Sequence, residues 1–254
     1  MHSRTLSLIA LLCLIVALPA GAAAQGEEEP QNMGDFFAGL LSADWNVYAQ
    51  SGLSGHGRFL LQEAAGEERA LSGEEGWNFG AGVGVNFLPR VGARLSYSYA
   101  STDLEFRDDD GDGSDAGDLE GLGTLASHFA SIEYVRTLLP ADAAVTPFGS
   151  AGFVASWWTM EPESQILEPD GGGTEFRLGA VATLGLQARV GSAFDLRLEA
   201  ATTRVRNPFT GADSFRATGG STIDEPGSVS RTDYRLVVVH NFSRAGLPLA
   251  RRGR

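Results

Sequence analysis

The sequence predicts an all-β protein, an eight-stranded antiparallel up-and-down barrel that crosses a membrane with its strands. Three observations predict it. Segments of period two recur along most of the chain, their connections alternate between long and short, and the face opposite the apolar one carries Arg, Asp and Glu instead of a second core.

The clearest segment is Trp77–Tyr99, WNFGAGVGVNFLPRVGARLSYSY. Odd positions (Trp77, Phe79, Ala81, Val83, Val85, Phe87) are apolar and even ones (Asn78, Gly80, Gly82, Gly84, Asn86) are Gly or Asn. After Pro89 and Arg90 the alternation resumes through Val91, Ala93, Leu95, Tyr97 and Tyr99. Successive side chains of a strand point to opposite faces, so this is two strands joined by a tight turn. Similar segments fall at 45–54, 77–88, 91–102, 124–137, 145–158, 174–189, 193–206 and 231–242. No long stretch of helical period competes, apart from a turn or two around Asp35–Leu41. Strand five of this series mixes parities, with Phe153 and Trp157 against Phe148 and Trp158; a bulge near Ser156 would reconcile them.

The intervening connections run to about 22, 2, 21, 7, 15, 3 and 24 residues. In an up-and-down barrel successive connections emerge at opposite ends, so all the long ones share one end and all the short ones the other. That asymmetry marks membrane barrels with short periplasmic turns and long extracellular loops. Aromatic residues fall in two bands: Trp77, Tyr97, Tyr99, Trp157, Trp158, Phe176 and Tyr234 near the long loops, and Trp45, Tyr48, Phe87, Tyr134, Phe148, Phe194 and Phe242 near the short turns. Two bands separated by small aliphatics are the expected pair of interfacial girdles.

The other face carries Arg94, Glu133, Arg177, Gln187, Asp195, Arg197, Glu199, Asp233 and Arg235. Turned toward hydrocarbon at mid-bilayer, an Arg costs about 2–4 kcal/mol. Turned inward, opposite signs can pair across the lumen, with the Gly and Asn of the second strand leaving room for long side chains. The apolar face therefore looks out into lipid. A lumen of eight strands is just wide enough for side chains to fill, so Arg94, Glu133, Arg177, Arg197, Glu199 and Arg235 are expected to form a closing network.

Residues 1–24 have a basic start at Arg4, an apolar run Leu6–Leu18 and small residues ending Ala22-Ala23-Ala24, the pattern of a secretory signal peptide cut before Gln25. The run is shorter than the ~20 residues of a membrane-spanning helix. The single cysteine, Cys13, leaves with it, so the mature chain carries no disulfide. Residues 25–43 read as a periplasmic lead-in, 44–242 as the barrel and 243–254 as a basic periplasmic tail with four Arg. Formal net charge is −13, with no basic stripe, which argues against nucleic acid as a partner. Mean hydropathy is −0.06, which fits a soluble chain and an alternating membrane strand equally well.

These residues resemble the small eight-stranded outer-membrane β-barrels, the OmpA/OmpX-like transmembrane domain and its relatives. The resemblance rests on the signal peptide, the hairpin VGVNFLPRVGARLSYSY, the passage EYVRTLLP…TPFGSAGFVASWW and the closing YRLVVVHNF. The last resembles the signal read by the barrel-assembly machinery, with Tyr234, Leu236, Val238 and a terminal Phe242, although His240 replaces an aromatic and SRAGLPLARRGR follows the Phe. The resemblance implies the outer membrane of a Gram-negative-type bacterium, surrounding lipids and lipopolysaccharide, and a monomer. It says little about activity, since one fold hosts many functions.

Candidate chemistry is sparse, and no catalytic, cofactor or metal residues are assigned. Asp108, Asp110, Asp112 and Gly113 match positions 1, 3, 5 and 6 of a calcium loop, but Leu119 stands where the bidentate Glu belongs, so the Asp108–Asp118 loop is expected to bind Ca²⁺ weakly or only as a diffuse cloud. His128 and Ser131 are the residue pair a lipid-modifying enzyme would use, yet their spacing puts them on opposite strand faces. A barrel protease would need Asp/His pairs at the rim, where His56 is the only histidine. The expectation is a non-enzymatic barrel with a structural or surface-interaction role. The alternatives are a narrow pore for small or apolar solutes, a soluble lipocalin-like binder with the same period turned inside out, and a lipid-modifying enzyme.

Overall fold

The computed structural model describes residues 43–64, 67–73, 75–88, 90–108, 123–139, 143–162, 175–191, 193–208, 222–224 and 226–242. The expected signal peptide, the turn around Asp35–Leu41, the lead-in before residue 43, the tail and most of the acidic loop lie outside them. Among the described residues there are eleven strands: β1 (Asp44–His56), β2 (Leu60–Ala64), β3 (Glu67–Gly73), β4 (Gly76–Leu88), β5 (Val91–Asp108), β6 (Gly123–Thr137), β7 (Val145–Pro162), β8 (Glu175–Val190), β9 (Phe194–Arg206), β10 (Thr222–Asp224) and β11 (Ser228–Asn241).

Eight of them make a closed wall. Going round, β1 pairs with β4, then β5, β6, β7, β8, β9 and β11, and β11 returns to β1, every pairing antiparallel. Closure leaves no wall strand with a free edge, the condition for placing a sheet in hydrocarbon. The eight wall strands coincide with the eight period-two segments to within a few residues. The short connections 89–90, 138–144 and 191–193 share one end and the long ones share the other.

Structure beyond the wall was not expected from the sequence. β2 and β3 form a hairpin inside the first long connection, β3 pairs with the far end of β5 (Leu71 opposite Phe106), and β10 adds to β2. The sheet thus continues past the barrel rim at the long-loop end. The acidic stretch begins within it, because Asp108 is the last residue of β5.

The two faces separate as the alternation requires. Phe153 is 76% exposed, Leu178 66%, Leu198 63% and Trp77 62%, whereas Arg94, Glu133, Asp195, Glu199 and Asp233 are buried inside. The β7 register runs unbroken against both neighbours, so no bulge lies at Ser156. Both parities of β7 are aromatic because both sides have a use for rings: Phe153 and Trp157 point outward, Phe148 and Trp158 fill the lumen. Tyr48 also points inward, where its hydroxyl donates to the Leu95 carbonyl at 3.3 Å. Tyr48, Phe148 and Trp158 therefore leave the girdles. His240 joins Phe194 and Phe242 at the short-turn end, tilted against Phe194 (4.8 Å between centroids) and edge-on to Phe242 (5.2 Å). The imidazole occupies the aromatic place in the short-turn belt. Among the described residues the wall pairings show one register shift, between Asn86 and Leu88.

The glycines of β4 make room for β1 rather than for charged residues. A Cβ on Gly80 would collide with Gln50, one on Gly82 with the Tyr48 ring and one on Gly84 with Asn46. Substituting Gly82→Val should therefore lower stability by about 1–3 kcal/mol through overpacking, read as an earlier midpoint in urea unfolding of the detergent-solubilised protein. Lipid-borne bromine should quench a variant retaining only Trp77 and spare one retaining only Trp158; equal quenching would contradict the two-sided wall.

Candidate functional site

The lumen is where the sequence concentrates its chemistry, and its midsection is one connected ion network. Arg94 on β5 sits at the centre. Its Nη1 donates to Glu199 Oε1 on β9 at 2.8 Å and its Nη2 to Glu133 Oε2 on β6 at 2.8 Å. Arg235 on β11 reaches the other Glu199 oxygen at 3.0 Å. Hydroxyl groups complete the set: Ser150 on β7 donates to Glu133 Oε2 at 2.6 Å, Thr183 on β8 donates to the same oxygen at 3.2 Å, and Ser131 donates to Glu133 Oε1 at 2.9 Å. Arg94 Nη2 also donates to Ser150 Oγ (3.1 Å) and Thr183 Oγ1 (3.0 Å). The network thus ties β5, β6, β7, β8, β9 and β11 across the bore. Two Arg against two Glu balance in charge, and all four are buried. Charges withdrawn from water survive only when paired and further hydrogen-bonded, which is the arrangement found.

Of the six residues expected to close the lumen, four meet here and two do not. Arg197 lies on the short-turn side, where Nε donates to Gln187 Oε1 at 2.9 Å and the guanidinium stands 5.4 Å over the Phe148 ring. Asp195 accepts from Gln187 Nε2 (2.7 Å) and Asn241 Nδ2 (2.9 Å) in the same layer. Below them a polar vestibule of about 360 Å³ opens at the short-turn end, lined by residues including Asp44, Asn86, Arg90 and Arg189. Arg177 is at the opposite rim, donating to the carbonyls of Phe176 (2.9 Å), Asn207 (3.4 Å) and Pro208 (3.0 Å). It is too near the long loops to reach the network.

The long-loop half of the lumen holds an apolar cluster, which the charged-face reading missed, beside buried polar groups that include Arg231 and His56. Leu104, Leu125, Phe129, Val154, Trp158, Val181, Val205 and Val229 pack there around Phe59. Phe59 belongs to no strand. It is fully buried, 5.8 Å edge-on from Trp158, and its carbonyl accepts a 2.7 Å bond from Asn207 Nδ2, which also donates to Pro226. The lumen therefore has three layers: polar vestibule, ion network, aromatic stopper. Arg231, also absent from the expected set, lies in the stopper layer and shares the odd parity of Asp233 and Arg235, a signal the sequence did contain.

His128 and Ser131 are on opposite faces, as their spacing requires. His128 points outward, its Nδ1 2.6 Å from the Tyr97 hydroxyl and its ring against Tyr99, while Ser131 is inside on Ser96 (2.6 Å) and Glu133. Among the described residues no three His, Cys, Asp or Glu are placed to hold a metal ion. The acidic loop that raised calcium lies beyond them, apart from Asp108.

The family model for the outer membrane protein beta-barrel domain matches residues 10–224, most of the chain. The chain belongs to the outer-membrane β-barrel family. Solved structures of the same kind include neisserial surface protein A (10% identity, 78% of this chain and 97% of that one, TM-score 0.48). OprG from Pseudomonas aeruginosa aligns at 8% identity over 79% and 97% with a TM-score of 0.49, and Ail of Yersinia pestis at 12% over 79% and 99% with 0.39. No curated protein matches the sequence. For this outer-membrane barrel the short turns face the periplasm and the long connections face outward.

Removing one member of the network strands the rest. Glu133→Ala, which leaves Arg94 with one carboxylate fewer, should cost about 3–5 kcal/mol, measured by urea titration in micelles. A double-mutant cycle of Arg94→Met with Glu199→Met should show strong coupling, the pair costing less than the sum of the singles.

Proposed function

We propose that the protein is a non-enzymatic outer-membrane barrel with a structural or surface-interaction role and a closed lumen. The observation that carries this reading is the Arg94–Glu133–Glu199–Arg235 network, whose members bond across the bore at the waist of the barrel. A conducting path needs charges that can release one another, whereas here both carboxylates are held by guanidinium and Glu133 by three hydroxyls as well. The Phe59 stopper supports closure at a second level. The absence of a role in catalysis is supported by the separation of His128 from Ser131, since a Ser proton cannot pass through the sheet to the imidazole. The surface role is supported by the β2–β3 hairpin and β10, which extend ordered sheet outward from the rim. In this reading residues 1–24 direct export, the tail from residue 243 stays in the periplasm, and the barrel works as a monomer among outer-membrane lipids and lipopolysaccharide after insertion by the assembly machinery.

A narrow passage is the second reading. The polar vestibule favours it, because it already brings water as far as Arg197 from the periplasmic side. Reconstitution in planar bilayers separates the two. A closed lumen gives a quiet baseline in the wild type and in Phe59→Ala alike, because the network remains. A narrow passage gives small openings that become more frequent when Phe59 is removed, and a large steady wild-type conductance would defeat closure outright.

A further inference from the structure

The outer aromatic girdle has a gap. Following cross-strand partners once round the wall from Trp45 of β1 leads back to β1 at Gly55, ten residues further out. Partners therefore climb a little over one residue per strand toward the long loops, and height can be assigned around the ring. Level with Trp77 on β4 stand Tyr99 on β5 and His128 on β6, with Trp157 on β7 and Phe176 on β8 slightly higher. These are lipid-facing rings on five successive strands. On the next three, β9, β11 and β1, the same face at the same height carries Arg204, Ser230, Thr232 and Gly55 instead.

Arg204 and Arg206 are both exposed on the lipid-facing side of β9, beyond Leu198, Ala200 and Thr202 on that face. Same-face neighbours on a strand are about 7 Å apart, close enough for two long side chains to reach one anion. Arg204 Nε donates to Ser228 Oγ at 2.9 Å, and among the described residues no carboxylate pairs with either guanidinium. Across the β9–β11 pair Ser230 faces Arg204 and Ser228 faces Arg206. Beside them a hollow of about 380 Å³ opens between β11 and β1, lined by Ser230, Thr232, Gly55 and Gly57, with Glu75 also on its lining. Gly55 leaves it open, since a Cβ there would meet nothing nearer than Glu75 Cγ at 4.0 Å. Leu53 and Tyr234 line both this hollow and an apolar groove of about 800 Å³, which runs toward the middle of the bilayer over Leu198, Ala200 and Leu236.

A guanidinium on the lipid side of a barrel is costly in hydrocarbon and tolerated in the headgroup layer, where it meets lipid phosphates. Arg grips a phosphate through paired N–H bonds, and the hydroxyls of Ser228, Ser230 and Thr232 can donate to the remaining oxygens. Glu75 repels an anion from its own side of the hollow and so leaves it at β9. Cations and hydroxyls outside, apolar groove inside: this is the order of groups in a phosphate-bearing lipid, whereas a soluble protein partner would leave the groove unused. We propose that Arg204 and Arg206 hold the phosphate of an outer-leaflet lipid on this one side of the barrel, its headgroup in the hollow and an acyl chain in the groove. The site deepens the reading of a barrel resident among outer-membrane lipids and rests on it.

The test titrates the full mature chain, folded in micelles of an uncharged detergent, with diphosphorylated lipid A. Mass spectrometry of the intact complexes counts the lipids retained. Expected are saturable retention of lipid A, at least about tenfold weaker retention of its dephosphorylated form, and no displacement by millimolar inorganic phosphate. The double variant Arg204→Gln, Arg206→Gln should bind at least about tenfold more weakly, the loss of two charge-assisted contacts. Gly55→Leu, which fills the hollow without changing charge, should weaken binding severalfold, and His128→Gln, at the same height across the barrel, should leave it unchanged. Folding is checked by the mobility difference between boiled and unboiled protein. Equal affinity for the dephosphorylated lipid, indifference to the Arg pair, or displacement by inorganic phosphate would overturn the site while leaving the membrane barrel intact. A chain that fails to insert into phospholipid vesicles would overturn the membrane reading and the site with it.

Discussion

Every backbone N–H and C=O that enters hydrocarbon must be bonded within the protein, because lipid offers no partner. That constraint fixes most of what this chain does. It rules out an open sheet, and the return of β11 to β1 meets it by closing the ring. It also fixes strand count against available space: eight strands enclose a bore that side chains can fill but not leave spacious. Once the wall exists, the alternation of strand side chains sends half of them into lipid and half into that narrow bore, and the two populations are chosen by opposite criteria. Outside, Leu178, Leu198 and Phe153 need only be apolar. Inside, each side chain must fit its neighbours and satisfy its own hydrogen bonds.

The interior answers the second demand differently at different heights. At the waist, opposite charges from facing strands meet, and Ser and Thr from the strands between them take up the remaining lone pairs. Toward the periplasm, Gln187, Asp195, Arg197 and Asn241 bond in a layer open to the vestibule. Toward the outside the lumen turns apolar, and a loop residue, Phe59, completes the packing. The glycines of β4 belong to the same accounting. Tyr48, Gln50 and Asn46 project from β1 across the face of β4, and any side chain at Gly80, Gly82 or Gly84 would displace them.

The wall was legible because its code is local. Period two, a turn at Pro89–Arg90 and a charge such as Glu133 on the face opposite Ile132 and Tyr134 can all be read within a dozen residues. The parity of Arg94, Glu133, Glu199 and Arg235 likewise placed them inside without any knowledge of register. What parity cannot give is height: it put Arg177 and Arg197 in the same set, although one ends at the outer rim and the other in the periplasmic layer. Nor does parity alone explain β7, whose rings on both faces suggest a break in the pattern although its register is continuous. A bulge is needed only if every ring faces lipid; the lumen accepts Phe148 beside Gly185, and Trp158 through its bond to Ser156 Oγ. Phe59, Asn207 and the β2–β3 hairpin were out of reach for a different reason. Their positions depend on contacts between segments about 150 residues apart, as in the bond from Asn207 to the Phe59 carbonyl, and acid-rich sequence such as QEAAGEER shows no clean alternation to betray a strand.

Height also separates the parts of the molecule that can vary from those that cannot. The ion network is bonded to six strands, so a change in any of its members is felt around most of the ring. The stopper is held by the bond from Asn207 to the Phe59 carbonyl, by ring contacts with Trp158 and His56, and by the apolar side chains packed around it. The outward sheet formed by β2, β3 and β10 is paired to the wall through the end of β5 and also packs on β1, where Gly73 lies against His56. Bonding between charged groups is therefore densest at the waist, while above it apolar packing holds the lumen and Arg231 keeps one charge-assisted bond, to Asp233.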